Sequence, residues 1–343
     1  MPRKLQLIFF IFFLGINTLD AQTIGGSSVY NFLKLPQHPL TGALGGRNVS
    51  SFSAEIGLVT ENPALLGEIN HGQVSANFTY LAPTLTSLNA IGGYHSEKLK
   101  TSFAVSINHL QYGNLDQTDP AGNILGTFNP YDQVAQISAS RLYGEKWYYG
   151  ISLKYIQSRY GVYSSSAIAL DFGLAYFDEE NLLQVGFSAK NMGTQLKTYA
   201  GMGEDLPFDM VIGVTKQLEK APIRFSLTAQ RIHQYDLLYN DTLFNVDNFG
   251  RSNKSGFINK IMNHFIFATD ILIGEKLVIT GGYNFLRRNE LRIPNLSSGL
   301  TGFSYGINLK LKKLDFYFSR SHYQSSLAHT QTGFGYKFAQ KQN

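Results

Sequence analysis

The chain has 343 residues, a formal charge of +5 and only 15% charged residues, against roughly 25% in an ordinary globular domain. It contains no cysteine, which excludes a disulfide framework, a thiolate metal site and a cysteine nucleophile. Its 20 Tyr, 25 Phe and 33 Gly suit aromatic girdles and close-packed strands, while the mild basicity gives no ground for nucleic-acid binding.

Residues 1–21 open with Arg3 and Lys4, continue through the apolar run Leu5 to Leu14 and end at the small residue Ala21. This is the layout of a secretory signal peptide with cleavage after Ala21. The apolar run is shorter than the ~20 residues a spanning helix needs. No later segment supplies an uninterrupted apolar stretch, so a membrane form of the mature chain has to be a closed barrel.

Residues 22–71 do not alternate. Pro36, Pro39, Gly42, Gly45 and Gly46 break up the apolar words around Val29 to Leu35 and Asn62-Pro63-Ala64-Leu65. The segment is too apolar for a disordered tail. It reads as a partly helical plug folded against or inside a barrel that would otherwise be open.

From 72 to 338 the pattern changes to segments of about ten alternating residues separated by turn residues. Leu183, Val185, Phe187 and Ala189 alternate with Gln184, Gly186, Ser188 and Lys190, and Ile223, Phe225, Leu227 and Ala229 alternate with Arg224, Ser226, Thr228 and Gln230. Fourteen strands are expected, over 72–81, 86–95, 101–111, 132–141, 146–156, 164–176, 182–191, 208–217, 221–232, 263–273, 277–286, 299–312, 314–322 and 328–338. Short charged connections at 95–99, 142–145, 177–181, 218–220 and 274–276 alternate with long ones at 112–131, 192–207, 233–262 and 287–298. A transmembrane antiparallel barrel with tight periplasmic turns and long outer loops has that rhythm, and a soluble sandwich has no reason for it. Both termini are then expected on the periplasmic side.

The same alternation assigns Lys154, Asp171, Lys190, Arg224, Asp270 and Lys310 to the lumen. Charges away from bulk water need partners, which points to a salt-bridged interior; the alternative is a track for an amphipathic ligand. The longest connection mixes Tyr235, Leu237, Leu238, Tyr239, Leu243 and Phe244 with acids and amides, so it is either a docking surface or a fold-back over the barrel mouth. Phe334, Tyr336 and Phe338 alternate with Gly333, Gly335 and Lys337 in an aromatic-rich last strand, of the kind that barrel-insertion machinery reads, and residues 339–343 trail behind it.

Asn31-Phe32-Leu33-Lys34-Leu35-Pro36, Ala43-Leu44-Gly45-Gly46 and Asn62-Pro63-Ala64-Leu65 resemble the N-terminal region of the PorQ/PorV group, whose members are similar to the FadL long-chain fatty-acid transporter. The Gly25 to Leu33 start is closer to the PorQ branch. These words cover about forty residues, and the Asn-Pro-Ala-Leu piece is common to FadL-like barrels. The resemblance implies a fourteen-stranded barrel in the outer membrane of a Bacteroidetes cell, within the type IX secretion system. It implies that the barrel anchors a surface-exposed PorZ-like protein and, through it, PorU and PorV in the complex that attaches cargo to anionic lipopolysaccharide. The sortase chemistry of that system lies in another subunit.

No enzyme site emerges from the residues themselves. The eight histidines, His38, His71, His95, His109, His233, His264, His322 and His329, mostly fall near strand ends or in connections, and none pairs with another at metal-ligand spacing. No cofactor or metal is expected. Two functions remain open: a non-enzymatic anchoring barrel with a plugged lumen, and a FadL-like transporter of hydrophobic small molecules, which predicts an apolar pocket reaching a gap in the wall.

Overall fold

Alternation of apolar and polar residues builds the wall, because successive side chains of a strand point to opposite faces. In the computed structural model the barrel strands are β1 (Gln73–Tyr80), β2 (Thr86–Ser96), β3 (Thr101–Gln111), β6 (Tyr131–Tyr143), β7 (Trp147–Tyr160), β8 (Tyr163–Asp178) and β9 (Leu183–Lys197). They continue with β10 (Asp209–Gln217), β11 (Ile223–Ala229), β12 (Phe265–Ile273), β13 (Leu277–Asn284), β14 (Phe303–Lys310), β15 (Leu314–His322) and β16 (Ala328–Lys337). Strands β4 (Leu115–Thr118) and β5 (Ile124–Phe128) form a separate hairpin inside the connection at 112–130, which the sequence pattern did not predict. The structure describes residues 28–53, 55–237, 257–291, 299–324 and 327–338. The expected signal peptide 1–21, the tail 339–343 and Leu238, Tyr239, Leu243 and Phe244 lie outside the described residues.

Neighbouring barrel strands pair antiparallel in chain order, and β16 returns to β1 from Gln73↔Lys337 to Tyr80↔Thr330. Fourteen strands thus close on themselves and leave no edge unpaired, which is the condition for crossing hydrocarbon with strands. Among the described residues no helix is long and apolar enough to cross a membrane. The outer face carries side chains such as Val105, Ile137, Ile151, Phe267 and Phe334, all exposed on the isolated chain. Their inward neighbours, including Ser106, Gln136, Ser152 and Gln331, are buried and polar.

Each of the fourteen expected segments overlaps one barrel strand. The largest boundary difference is at β9, which continues to Lys197 through a bulge. Leu170 faces Met192 and Phe172 faces Ala189, so Asp171 opposes two residues, Lys190 and Asn191. Asn191 takes the left-handed conformation, φ 59°, and donates its backbone N–H to the Asp171 carboxylate at 2.8 Å. Asn tolerates that conformation better than most residues. Both Lys190 and Asn191 are therefore buried in the lumen.

The N-terminal segment fills the interior with short pieces of helix rather than one long one. Four 3₁₀ turns, Asn31–Lys34, Ile56–Thr60, Pro63–Leu65 and Glu68–Asn70, accompany α1 (Pro39–Ala43). Pro39 opens α1 from a position where its missing N–H costs nothing, and the His38 ring accepts from the Leu40 N–H at 3.2 Å. Val29 donates its N–H to the Asp205 carbonyl in the long connection before β10, whereas Gly72 bonds Gly93 and Phe338 at the short-turn end. The described chain thus enters at the long-connection end and crosses the lumen before β1. The two described ends lie at opposite mouths, and the termini themselves, within 1–27 and 339–343, lie outside the described residues. The plug enters from the mouth opposite β1, an arrangement strand counting cannot detect.

Candidate functional site in the barrel lumen

A plug can approach a barrel wall closely only where the wall has no side chain. A Cβ on Gly150 would lie 2.5 Å from the Pro63 carbonyl carbon, and one on Gly173 would strike the Asn62 side chain and lie 2.9 Å from the Ala64 nitrogen. Gly186 plays the same part under the Val49 carbonyl. The Asn62-Pro63-Ala64-Leu65 word is thus seated on a smooth patch of β7 and β8, with Val49 and Ser50 on its continuation in β9. Asn62 holds its own turn together by accepting from Ala64 N–H at 3.0 Å, and its amide donates to the carbonyls of Val49 at 2.8 Å and Leu174 at 3.2 Å.

Ion pairs fasten the plug to the wall. Glu61 accepts from Arg47 and from Lys190 of β9, each at 3.0 Å, and Lys190 also donates to the Thr60 carbonyl at 3.0 Å. Arg47 reaches Asp209 of β10 at 3.8 Å. Burial alone would raise the Glu61 carboxyl, but the charges of Lys190 and Arg47 outweigh it and hold the group below the usual carboxylate range. Glu55 follows the same logic: burial pushes it up, while Lys310 at 2.9 Å and the hydroxyl of Tyr317, which donates to it, bring it lower overall. The remaining lumen charges pair within the wall, Lys154 with Asp171 at 2.5 Å and Arg224 with Asp270 at 2.7 Å. The six residues assigned to the lumen from the sequence all face inward, and each has an oppositely charged partner.

The mouth at the long connections is different in character. Val29, Tyr30, Phe32 and Leu33 pack onto Leu81, Leu110, Val134, Ile156, Ala167 and Ala169 of the wall and Leu206 of a connection, all of them buried. Tyr30 also pairs its hydroxyl with Ser165 of β8. This inner surface is apolar where the lumen of an open porin is polar.

The long connection that begins at His233 is described only in part. Leu237 is 3% exposed, whereas Tyr235 is 62% exposed and lies 5.4 Å from the Lys260 ammonium. Lys260, on α2 (Phe257–Met262), pairs with Asp236 at 2.5 Å. The two described candidates of this connection are therefore separated, one tucked in and one outward. Phe334, Tyr336 and Phe338 all face outward, and Phe338 N–H donates to Gly72.

Four charged residues of this network were not singled out from the sequence: Glu61 and Glu55, which pair with Lys190 and Lys310, and Arg47 and Asp209, which lie beside Glu61. Three of the four stand in the N-terminal region, where charge among apolar words was the available signal. Sequence reasoning also missed the sealing role of Val29 to Leu33 at the mouth, for which the sequence offers no periodicity. Among the described residues no group of His, Asp and Glu is arranged to hold a metal ion.

No protein-family model matches this sequence, and comparison with curated proteins gives no significant match. Solved structures do resemble the fold. A deletion mutant of TodX, described as a monoaromatic hydrocarbon channel, superposes with a TM-score of 0.53 at 13% identity, over 89% of this chain and 100% of that one. A Pseudomonas aeruginosa FadL homologue gives 0.50 at 9% identity, over 88% and 98%. What these structures share with this chain is architecture: its closed barrel of fourteen strands has a FadL-like fold.

Proposed function

We propose that the protein is a non-enzymatic outer-membrane barrel that takes up apolar small molecules, with residues 28–35 as a removable seal and the long connections on the outer side. The observation that carries this reading is the apolar inner surface at the long-connection mouth, formed by Leu81, Leu110, Val134 and Ile156 beneath Phe32 and Leu33. Apolar walls with a few polar groups are what small hydrophobic ligands require. The FadL-like architecture, found also in hydrocarbon channels, supports it. The experiment is uptake of a labelled alkylbenzene or fatty acid into liposomes carrying the full chain or a variant lacking 28–35. Uptake above that of empty liposomes, raised further by the deletion, is expected; background uptake with both proteins defeats the reading.

A second reading is favoured by the ion-paired plug and the unbroken wall, which suit a barrel that conducts nothing. It is the anchoring role suggested by the PorQ/PorV resemblance: the outer loops, Tyr235 among them, would hold a PorZ-like surface protein and, through it, PorU and PorV beside anionic lipopolysaccharide. Its signature is a surface protein that co-purifies with the full chain and is lost when 233–262 is shortened in a correctly inserted barrel.

A further inference from the structure

The lipid-facing wall has a recess where small side chains replace large ones. On β1 and β2 the outward positions carry Ala76 opposite Ala90 and, one level nearer the short turns, Val74 opposite Gly92, while β3 offers Val105 and Ile107 and β16 offers Phe334 and Tyr336. Leu314 completes the rim on β15, and the cleft holds about 550 Å³. That volume is in the range of small-ligand sites. Its lining is almost wholly apolar, so its occupant is apolar where it touches the wall.

The short turns give the occupant a second property. Lys312 and Lys313 immediately precede Leu314, Lys337 follows Tyr336, and Lys98 and Lys100 sit in the turn joining β2 to β3. Glu97 is the one acid in these two turns. Every other short turn balances or reverses its charge: Glu145 stands beside Lys146, Glu219 beside Lys220, Glu275 beside Lys276, and Asp178, Glu179 and Glu180 follow one another. Lys98, Lys100, Lys312 and Lys313 are all exposed, and among the described residues none of them is held in an ion pair. Positive charge on this mouth is therefore concentrated beside the cleft. Lysines near a bilayer surface attract anionic lipid.

We infer that the cleft is a binding site for one anionic glycerophospholipid, its acyl chain lying over Ala76, Ala90 and Gly92 and its phosphate among the lysines of the two flanking turns. The site lies on the outside of the wall and is independent of whatever passes through or is held by the lumen.

Native mass spectrometry of the detergent-solubilised full chain, supplied with phosphatidylglycerol or phosphatidylcholine, tests it. One phosphatidylglycerol retained per barrel is expected, with phosphatidylcholine retained about tenfold less well. Replacing Lys98, Lys100, Lys312 and Lys313 by Gln removes the preference, whereas the matched control with Lys220 and Lys276 replaced by Gln keeps it. Filling the recess with Ala76→Leu and Ala90→Leu expels both lipids, and heat-modifiable migration on gels confirms that each variant is a folded barrel. Equal retention of the two lipids, equal loss in the control, or unchanged retention in the folded, filled variant overturns the assignment.

Discussion

Glu61 accepts from Arg47 and Lys190 at once, so one carboxylate joins two parts of the plug to the wall. Glu61→Gln leaves two buried cations short of their counter-charge, and breaking a buried pair from one side costs about 3–5 kcal/mol. A lower urea midpoint for the detergent-folded protein is expected; an unchanged midpoint means the plug does not depend on this pair. His38 offers a pH test. Burial, opposed by the nearby Glu55 charge, lowers its imidazole to about 4, against 6.5 ordinarily. Between those values the unfolded chain binds a proton that the folded plug refuses. Stability is therefore full above about pH 6.5 and falls as the pH drops toward 4. His38→Asn keeps a short acceptor for the Leu40 N–H and should flatten that slope in a series of thermal melts from pH 7 to 4. Glu55 and Glu61 sit below the carboxylate range, so their contribution is lost only at lower pH, and the two windows separate.

Single strands were easy to find because one face meets hydrocarbon and the other a polar interior. Leu183 to Lys190 shows the alternation plainly. The break that follows it was invisible, since Lys190-Asn191 looks like ordinary continuation and turn until Asp171 is known to stand opposite both. Asn191→Val combines a β-branched residue in the left-handed region with loss of the bonds to Lys154 at 2.9 Å and the Pro207 carbonyl at 2.9 Å. A loss of about 2–3 kcal/mol is expected, read as a shifted urea unfolding curve, and Asn191→Gly should lose less because only the side-chain bonds go. Similar stability for the two variants would show that the bulge backbone carries no strain. The plug pieces were legible as apolar words and breakers, but their path was not. A turn such as Pro63–Leu65 is set by the absence of side chains at Gly150 and Gly173, more than eighty residues downstream.

At the scale of the whole molecule, a fourteen-stranded wall without a plug is wide enough to leave an open lumen. The full chain in a planar bilayer should show no steady conductance, and a form lacking residues 28–71 should open as a stable pore. Conductance of the intact chain, or a closed lumen after deletion, would mean that something other than the plug sets the permeability.

By itself the sequence determined the number of barrel strands, their inward and outward faces, the alternation of short and long connections and the presence of a plug. These are local properties: a period of two, turn residues and a change of composition are written in consecutive residues. Only the tertiary structure decided which mouth the plug enters, which acids meet the lumen cations and where the wall is recessed. Each of those depends on residues brought together by closure of the barrel, such as Glu61 with Lys190 or Ala76 with Ala90 and Phe334, and no local pattern records a contact across a closed wall.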